Sequence, residues 1–207
     1  MATTYAIPNG RTVFDATLYT GNNTTNNIVN QLGFKPDLVW IKSRTEVRSH
    51  VWFDSARGFG GNLDQVTNTA DLDGNTAATA TYGYVSGVNS NGFSLANGTT
   101  NGSAVNTSNH SLVAWNWRQS PTSGFNIVSY ASGASGDKTI THNLTVTPEM
   151  IICKDRTSAS TNWVVYHKDT GDAYYTKLNL TDAKAGYYSW SPTSTTFTAT
   201  RTLTFAS

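Results

Sequence analysis

The sequence is short of the residues from which catalytic centres and covalent staples are built. It holds one cysteine, Cys153, which excludes an internal disulfide and a cysteine-based zinc site. Its only glutamates are Glu46 and Glu149. Charged residues make up 13% of the chain, about half the usual share. Fourteen basic residues against thirteen acidic ones leave a net charge of +1. No run of Lys and Arg occurs, so the electrostatic footprint of a nucleic-acid binder is missing and no nucleic-acid partner is expected. No apolar run approaches the roughly 18 residues of a membrane helix, so membrane insertion is not expected either. The first residues show no basic stretch leading into an apolar one, and the reading is synthesis in a cytoplasm without a secretory signal. Helical periodicity is almost absent.

What the chain does have is Asn, Thr, Ser, Gly and aromatic residues, with 24 of its 207 residues Phe, Trp or Tyr. Short β-branched and aromatic runs alternate with Gly/Asn/Ser/Thr clusters, the pattern of many short strands. Strands are expected at Thr12 to Phe14, Asp37 to Lys42, His50 to Phe53, Tyr82 to Val85, Gly92 to Leu95 and Ser111 to Trp117. They continue at Phe125 to Tyr130, Lys138 to Thr141, Glu149 to Lys154, Trp163 to His167, Thr195 to Ala199 and Thr202 to Phe205. Asn62 to Ala80 and Asn97 to Asn109 read as long polar surface loops.

An internal repeat organises these strands. Residues Ile28 to Arg44 align without gaps on Ile140 to Arg156 at an offset of 112, with five of 17 positions identical. Both copies enter through a proline, where a missing N–H is harmless. Both continue with four apolar residues, as in a strand covered on both faces, and close with Lys and Arg two apart. The next strand, bearing a Trp, is the expected hairpin partner. This predicts an N-terminal arm over 1–13, a first β unit over 14–120 and a second over 121–207. The fold class is an all-β, lectin-like or jelly-roll antiparallel β-sandwich built from an internal duplication. Function is to be sought where the copies differ, above all in the two long first-copy loops.

No spacing singles out a reactive centre. Asp54, Asp64, Asp71 and Asp73 form no evident glycosidase pair. The four histidines lack metal-ligand spacing, and His142 and His167 fall where the first copy has Asn30 and Asp54. Asp71-Leu72-Asp73-Gly74 begins like a calcium loop but lacks the closing glutamate of an EF-hand. No cofactor, metal site or catalytic residue is expected. The candidate contact residues are aromatic. Trp115 and Trp117 share one strand face; exposed they would be a stacking platform, buried a sandwich core, and burial is the expectation. Tyr82, Tyr84, Tyr174, Tyr175, Tyr187 and Tyr188 lie beside Gly-rich loops and are candidate exposed contacts.

The stretch Leu32-Gly33-Phe34-Lys35-Pro36-Asp37-Leu38-Val39-Trp40-Ile41-Lys42, followed by Trp52-Phe53-Asp54-Ser55-Ala56-Arg57-Gly58, resembles a domain common in virion proteins of tailed phages, especially marine and cyanobacterial ones. Ser111 to Trp117, Thr147 to Lys154, Asn162 to His167, Leu178 to Ala183 and Pro192 to Ser194 fit the rest of that domain. The resemblance implies a location in the virion more than an activity. Expected roles are capsid decoration (cement) or a tail-fibre module, with other virion proteins as partners and a homo-oligomer, a trimer by analogy. A receptor-binding adhesin for host-surface glycans is the alternative, and a polysaccharide-degrading tail-spike enzyme a weaker one. The C-terminal residues Thr202 to Ser207 are shorter than the closing strand of that domain, leaving open whether the strand is complete or supplied by a neighbouring subunit.

Overall fold

The computed structural model describes residues 7, 9–74, 81–131, 137–186 and 190–199. The chain is all-β with antiparallel sheets; its helical content among these residues is confined to brief turns such as the 3-10 turns Gly10–Thr12 and Lys168–Thr170. The strands are β1 (Phe14–Thr20), β2 (Asn27–Val29), β3 (Leu38–Ser43), β4 (Val51–Asp54), β5 (Gln65–Val66), β6 (Tyr84–Asn89) and β7 (Gly92–Ala96). They continue with β8 (Ser111–Trp117), β9 (Lys138–Thr141), β10 (Met150–Cys153), β11 (Val164–His167), β12 (Thr176–Lys177) and β13 (Thr196–Ala199).

Four sheets result. A five-stranded sheet runs β1-β8-β3-β4-β5, and a three-stranded one β2-β7-β6. In the second half, β10-β11-β12 form one sheet and β13-β9 another. Alternation of side chains across each strand explains how they stack. Val39, Ile41, Val51, Phe53, Leu112 and Ala114 project from one face of the five-stranded sheet into a core shared with Val29, Val85, Phe93 and Leu95 of the β2-β7-β6 sheet. Ile151, Val164 and Tyr166 of β10 and β11 meet Ile140 of β9, Phe197 of β13 and Trp190 in a smaller core. The remaining face of β3 and β4 carries Leu38, Trp40 and Trp52 beside Lys42 and Asp54, and there Leu38 and Trp52 meet Trp163 in a third cluster joining the two halves. This is why Leu38 to Ile41 carries no polar face: both sides are covered.

The hairpins β3–β4 and β10–β11 share one pairing register. Leu38 pairs with Asp54 and Ile41 with Val51, while Met150 pairs with His167 and Cys153 with Val164. Lys42 and Lys154, at matching positions, each donate from Nζ to the carbonyl of the following residue, at 2.9 and 2.7 Å. The gapless alignment slips by one at its start. Val29 and Ile140 are the buried positions, opposite Phe93 and Phe197, whereas Ile28 is exposed.

Several strand expectations need correcting. The first strand lies over Phe14–Thr20, not at Thr12 to Phe14: Thr12 ends a 3-10 turn, Val13 caps it, and Phe14 begins the strand. Asp15 and Thr17 break the apolar run in sequence, yet their side chains fall on the face turned toward Tyr19 and the core. Phe125 to Tyr130 forms no strand, only an isolated bridge between Phe125 and Ser120. Thr202 to Phe205 lies outside the described residues. The expected surface loop at Asn62 to Ala80 has a buried start, with Asp64, Gln65, Val66 and Thr67 inside and β5 paired to β4; residues 75–80 lie outside the described ones. The loop Asn97 to Asn109 is likewise anchored through fully buried Val105 and Asn106.

Candidate functional site

Four of the six tryptophans, Trp40, Trp52, Trp115 and Trp117, assemble on the outer face of the five-stranded sheet. Strand pairing sets Trp40 directly between Trp52 on β4 and Trp115 on β8. Their ring centroids are 5.9 and 5.7 Å apart, and Trp163 extends the row at 5.4 Å from Trp52. Such tilted contacts suit the ring quadrupoles. The indole nitrogens of Trp40, Trp52 and Trp163 donate to Thr67 Oγ1, Asp54 Oδ2 and the Val66 carbonyl, each at 3.1 Å. Trp117 packs between Phe14, at 4.9 Å, and Phe125, at 6.1 Å.

Among the described residues, most of the cover on this face lies at one end. Toward β4 and β5 it meets Trp163, Ile152 and Ile127 of the second half. Toward β8 and β1, Trp115 and Trp117 are half-buried, Phe14 is 40% exposed and Leu18 54%. Trp115 and Trp117 are therefore neither a free platform nor a closed core: their inner edges stack within the row and their outer edges border an apolar surface.

Beneath the covered end runs a chain of ion pairs. Arg57 Nε contacts Asp54 Oδ2 at 2.7 Å, both side chains 3% exposed. Arg57 Nη1 reaches Asp73 at 3.3 Å and the Leu63 carbonyl at 2.8 Å, and Nη2 the Trp52 carbonyl at 3.4 Å. Asp73 also binds Arg156 Nε at 2.5 Å, linking the halves. Asp54 Oδ1 accepts from the amides of Ala56 and Arg57, so the buried carboxylate is compensated on both oxygens. A cleft of about 90 Å³ lies along this seam, bordered by Trp52, Gln65, Ile152, Lys154, Arg156 and Trp163. Burial lowers the Lys154 pKa from its ordinary value, against the pull of Asp155, Asp73 and Asp71. Its ammonium is held by the Asp155 carbonyl and by Thr161 Oγ1 at 3.1 Å.

These contacts tie three of the aspartates into internal pairs. Asp54 and Asp73 are each held by an arginine, and Asp71 Oδ2 accepts from Thr69 Oγ1 at 2.7 Å, so the Asp71-Leu72-Asp73 stretch serves as a tie. His142 is buried, bonded to the Thr193 carbonyl and the Leu144 amide. His167 accepts from Asp169 N and caps a 3-10 turn. Cys153 sits against Tyr130, and burial pushes its thiol pKa up to about 11, away from the reactive thiolate. Among the described residues, no group of three His, Cys, Asp or Glu side chains could hold a metal, and no helix is long and apolar enough to cross a membrane.

The tyrosine candidates are dispersed. Tyr82 and Tyr84 belong to the first half, Tyr82 just before β6 and Tyr84 at its start, with Tyr82 41% exposed and Tyr84 packed against the large core. Tyr174 and Tyr175 lie in the second half. Tyr174 is 41% exposed with the Lys184 ammonium 4.2 Å above its ring, whereas Tyr175 packs on the smaller core. Tyr187 and Tyr188 lie outside the described residues. Sequence reasoning missed the Arg57 network and the edge strand Phe14–Thr20. The one available signal was the run Trp52-Phe53-Asp54-Ser55-Ala56-Arg57, which sets a carboxylate and a guanidinium three apart at a strand end.

The chain belongs to a family described only as a domain of unknown function, DUF7483, whose model matches residues 10–206. No curated protein and no solved structure gives a significant match.

Proposed function

We propose that this protein is a non-enzymatic structural accessory of a tailed-phage virion, exposed on the particle as capsid decoration or as a tail-fibre module, and acting by surface contact. The observation that carries the reading is the half-open aromatic face. Phe14, Leu18, Trp115 and Trp117 present apolar surface on a rigid sheet, while the polar clusters nearby are held in internal pairs. An apolar patch on a rigid support suits a protein partner. The resemblance of the Leu32 to Gly58 stretch to virion domains supplies the setting. On this reading the scaffold is a lectin-like or jelly-roll sandwich duplicated along the chain, supported by the common register of β3–β4 and β10–β11.

Imaging of purified particles with a labelled chain tests it. Many copies over the head are expected for decoration and a few on the tail for a fibre module; absence from washed particles overturns the proposal. A second role, adhesion to host-surface glycans, is favoured by exposed Tyr82 and Tyr174. Glycan-array binding that disappears in a Tyr82→Ala/Tyr174→Ala double variant is its expected signature. The tail-spike hydrolase reading is the weakest, since Asp54 and Asp73 are held by Arg57.

A further inference from the structure

The edge of the five-stranded sheet is built for pairing. Val13 accepts from Arg118 N at 2.8 Å and Gly21 donates to the His110 carbonyl at 3.0 Å, so these positions form hydrogen-bonded pairs across β1 and β8. Antiparallel alternation then makes Asp15, Thr17 and Tyr19 the residues that bond to β8, and it turns the N–H and C=O groups of Phe14, Ala16 and Leu18 outward. Among the described residues no strand lies beyond β1.

Edge strands are normally blunted by shortness, bulges, lysine or proline. The other edges here follow that rule. β5 and β12 are two residues each, β2 is three, β10 four, and β6 carries a register irregularity between Val85 and Gly87. β1 instead runs seven residues without Pro, Lys or an irregularity in its pairing. Its one charge, Asp15, is neutralised by Arg11 at 2.9 Å. The outward side chains read Phe14, Ala16, Leu18, large-small-large, and this pattern is the same in both directions.

We propose that β1 pairs antiparallel with β1 of a second copy of this chain across a two-fold axis at Ala16. That register sets Phe14 opposite Leu18 of the second copy, and the reverse, with the two Ala16 side chains meeting on the axis. It opposes Asp15 to Thr17, whereas a register shifted to centre on Asp15 would oppose two carboxylates. The self-complementary pattern selects a second copy over an unrelated strand, because both the apolar match and the avoidance of like charge come from one sequence. The two sheets merge into a ten-stranded one, and the half-open aromatic faces become neighbours. The association is two-fold, in place of the trimer that analogy suggests, and holds whether or not the chain resides in a particle.

Sedimentation of the wild-type chain, Ala16→Lys, Ala16→Asp and an equal mixture of the two variants tests it. A two-chain species is expected for the wild type at micromolar concentration. Each variant alone is expected to weaken pairing at least about tenfold, since like charges then meet on the axis, and the mixture is expected to restore it. A wild type that stays monomeric, a three-chain mass, or an Ala16→Lys chain that still pairs would overturn the proposal. Near-UV circular dichroism reports whether the tryptophan row survives each substitution. Should the variants unfold, amide exchange on the wild type decides. Protection at Phe14, Ala16 and Leu18 that rises with protein concentration supports pairing; protection independent of concentration means that the chain covers its own edge and overturns it.

Discussion

The two halves of the molecule use similar hairpins to different ends. In the first, β3 is central, flanked by β8 and β4, and its sheet packs on β2-β7-β6 around a core that includes Phe53, Phe93, Leu95 and Val105. In the second, β10 is an edge strand among the described residues, and the core is limited to residues such as Ile140, Tyr166 and Trp190. The first half closes on itself. The second half closes partly on the first, through Trp163 and Arg156. Equal hairpin register does not confer equal independence; the number of layers around the hairpin does.

Removing the wedge should break this dependence most strongly. Trp163 is almost fully buried, stacks on Trp52 and donates to the Val66 carbonyl. Trp163→Ala is expected to cost about 3–5 kcal/mol in denaturant unfolding, the range for truncating a buried Trp. The second half should then melt before the first, seen as exchange at Val164 to Tyr166 outpacing that at Val39 to Ile41. A single coincident transition would mean that the halves are coupled by something other than this contact.

The polar seam comes next. In Asp54→Asn the new amide nitrogen would face two donors, Trp52 Nε1 and Arg57 Nε, and the Arg57 charge would lose its closest partner. Breaking a buried pair costs about 3–5 kcal/mol, and the remaining contact of Arg57 with Asp73 lowers the expected loss to about 2–3 kcal/mol. Asp73→Asn, in a half-buried position, should cost less. If the two substitutions prove equal, the seam rather than the first half's own closure carries the stabilisation.

Much of the scaffold could be read from the residues alone, because period-two alternation and the paired prolines are local signals. The antiparallel all-β class, the strands at Ser111–Trp117 and Lys138–Thr141, and the Trp52-bearing hairpin partner of β3 all follow from such patterns. What escaped reading depends on distant partners. Phe14–Thr20 reads poorly as a strand because Asp15 and Thr17 interrupt it, yet Arg11 and the Asn116-bearing strand β8 make those positions acceptable. Asn62 to Ala80 reads as surface because its residues are polar, but Asp64, Gln65 and Thr67 are buried beside the seam. Of the aromatic candidates, Trp115 and Trp117 were brought to one surface by strand periodicity, and the tyrosines, chosen for their Gly-rich neighbourhoods, were not.

The long loop of the first half sharpens the comparison on a smaller scale. Asn106 is fully buried. Its amide oxygen accepts from Asn22 N and Asn27 Nδ2, at 3.0 and 2.7 Å, while its Nδ2 donates to Asn22 Oδ1 and the Thr24 carbonyl. Tyr19 adds a bond from its hydroxyl to the Val105 carbonyl at 2.7 Å, and Gly21 leaves room for the Thr107 carbonyl, which a Cβ would strike. Asn106→Ala would leave buried polar groups unpaired, and the expected loss is about 1–3 kcal/mol. It should fall on the first half alone, leaving the Trp163 fluorescence contribution and the second-half melt unchanged.

The smallest expected effect concerns His50, whose ring lies 6.4 Å from Trp40 at the outer face of the first half. Partial burial, with the nearby Lys42 charge, lowers its pKa from the ordinary 6.5. In the unfolded chain His50 takes up its proton as pH falls through that ordinary value, while the folded chain resists until its lower pKa is reached. The unfolded state therefore binds more protons in that window, and stability declines as pH falls through it, levelling below the folded pKa. His50→Gln should flatten this part of the profile, which begins as pH falls below about 7, without changing stability above it. Since the second half has Trp163 where the first has His50 and its neighbours leading into β4, the flattening should appear in the first-half transition of the Trp163→Ala background and be absent from the second-half one. An equal flattening in both would show that the outer face transmits the His50 charge across the seam, and that the halves remain electrostatically coupled after their aromatic contact is cut.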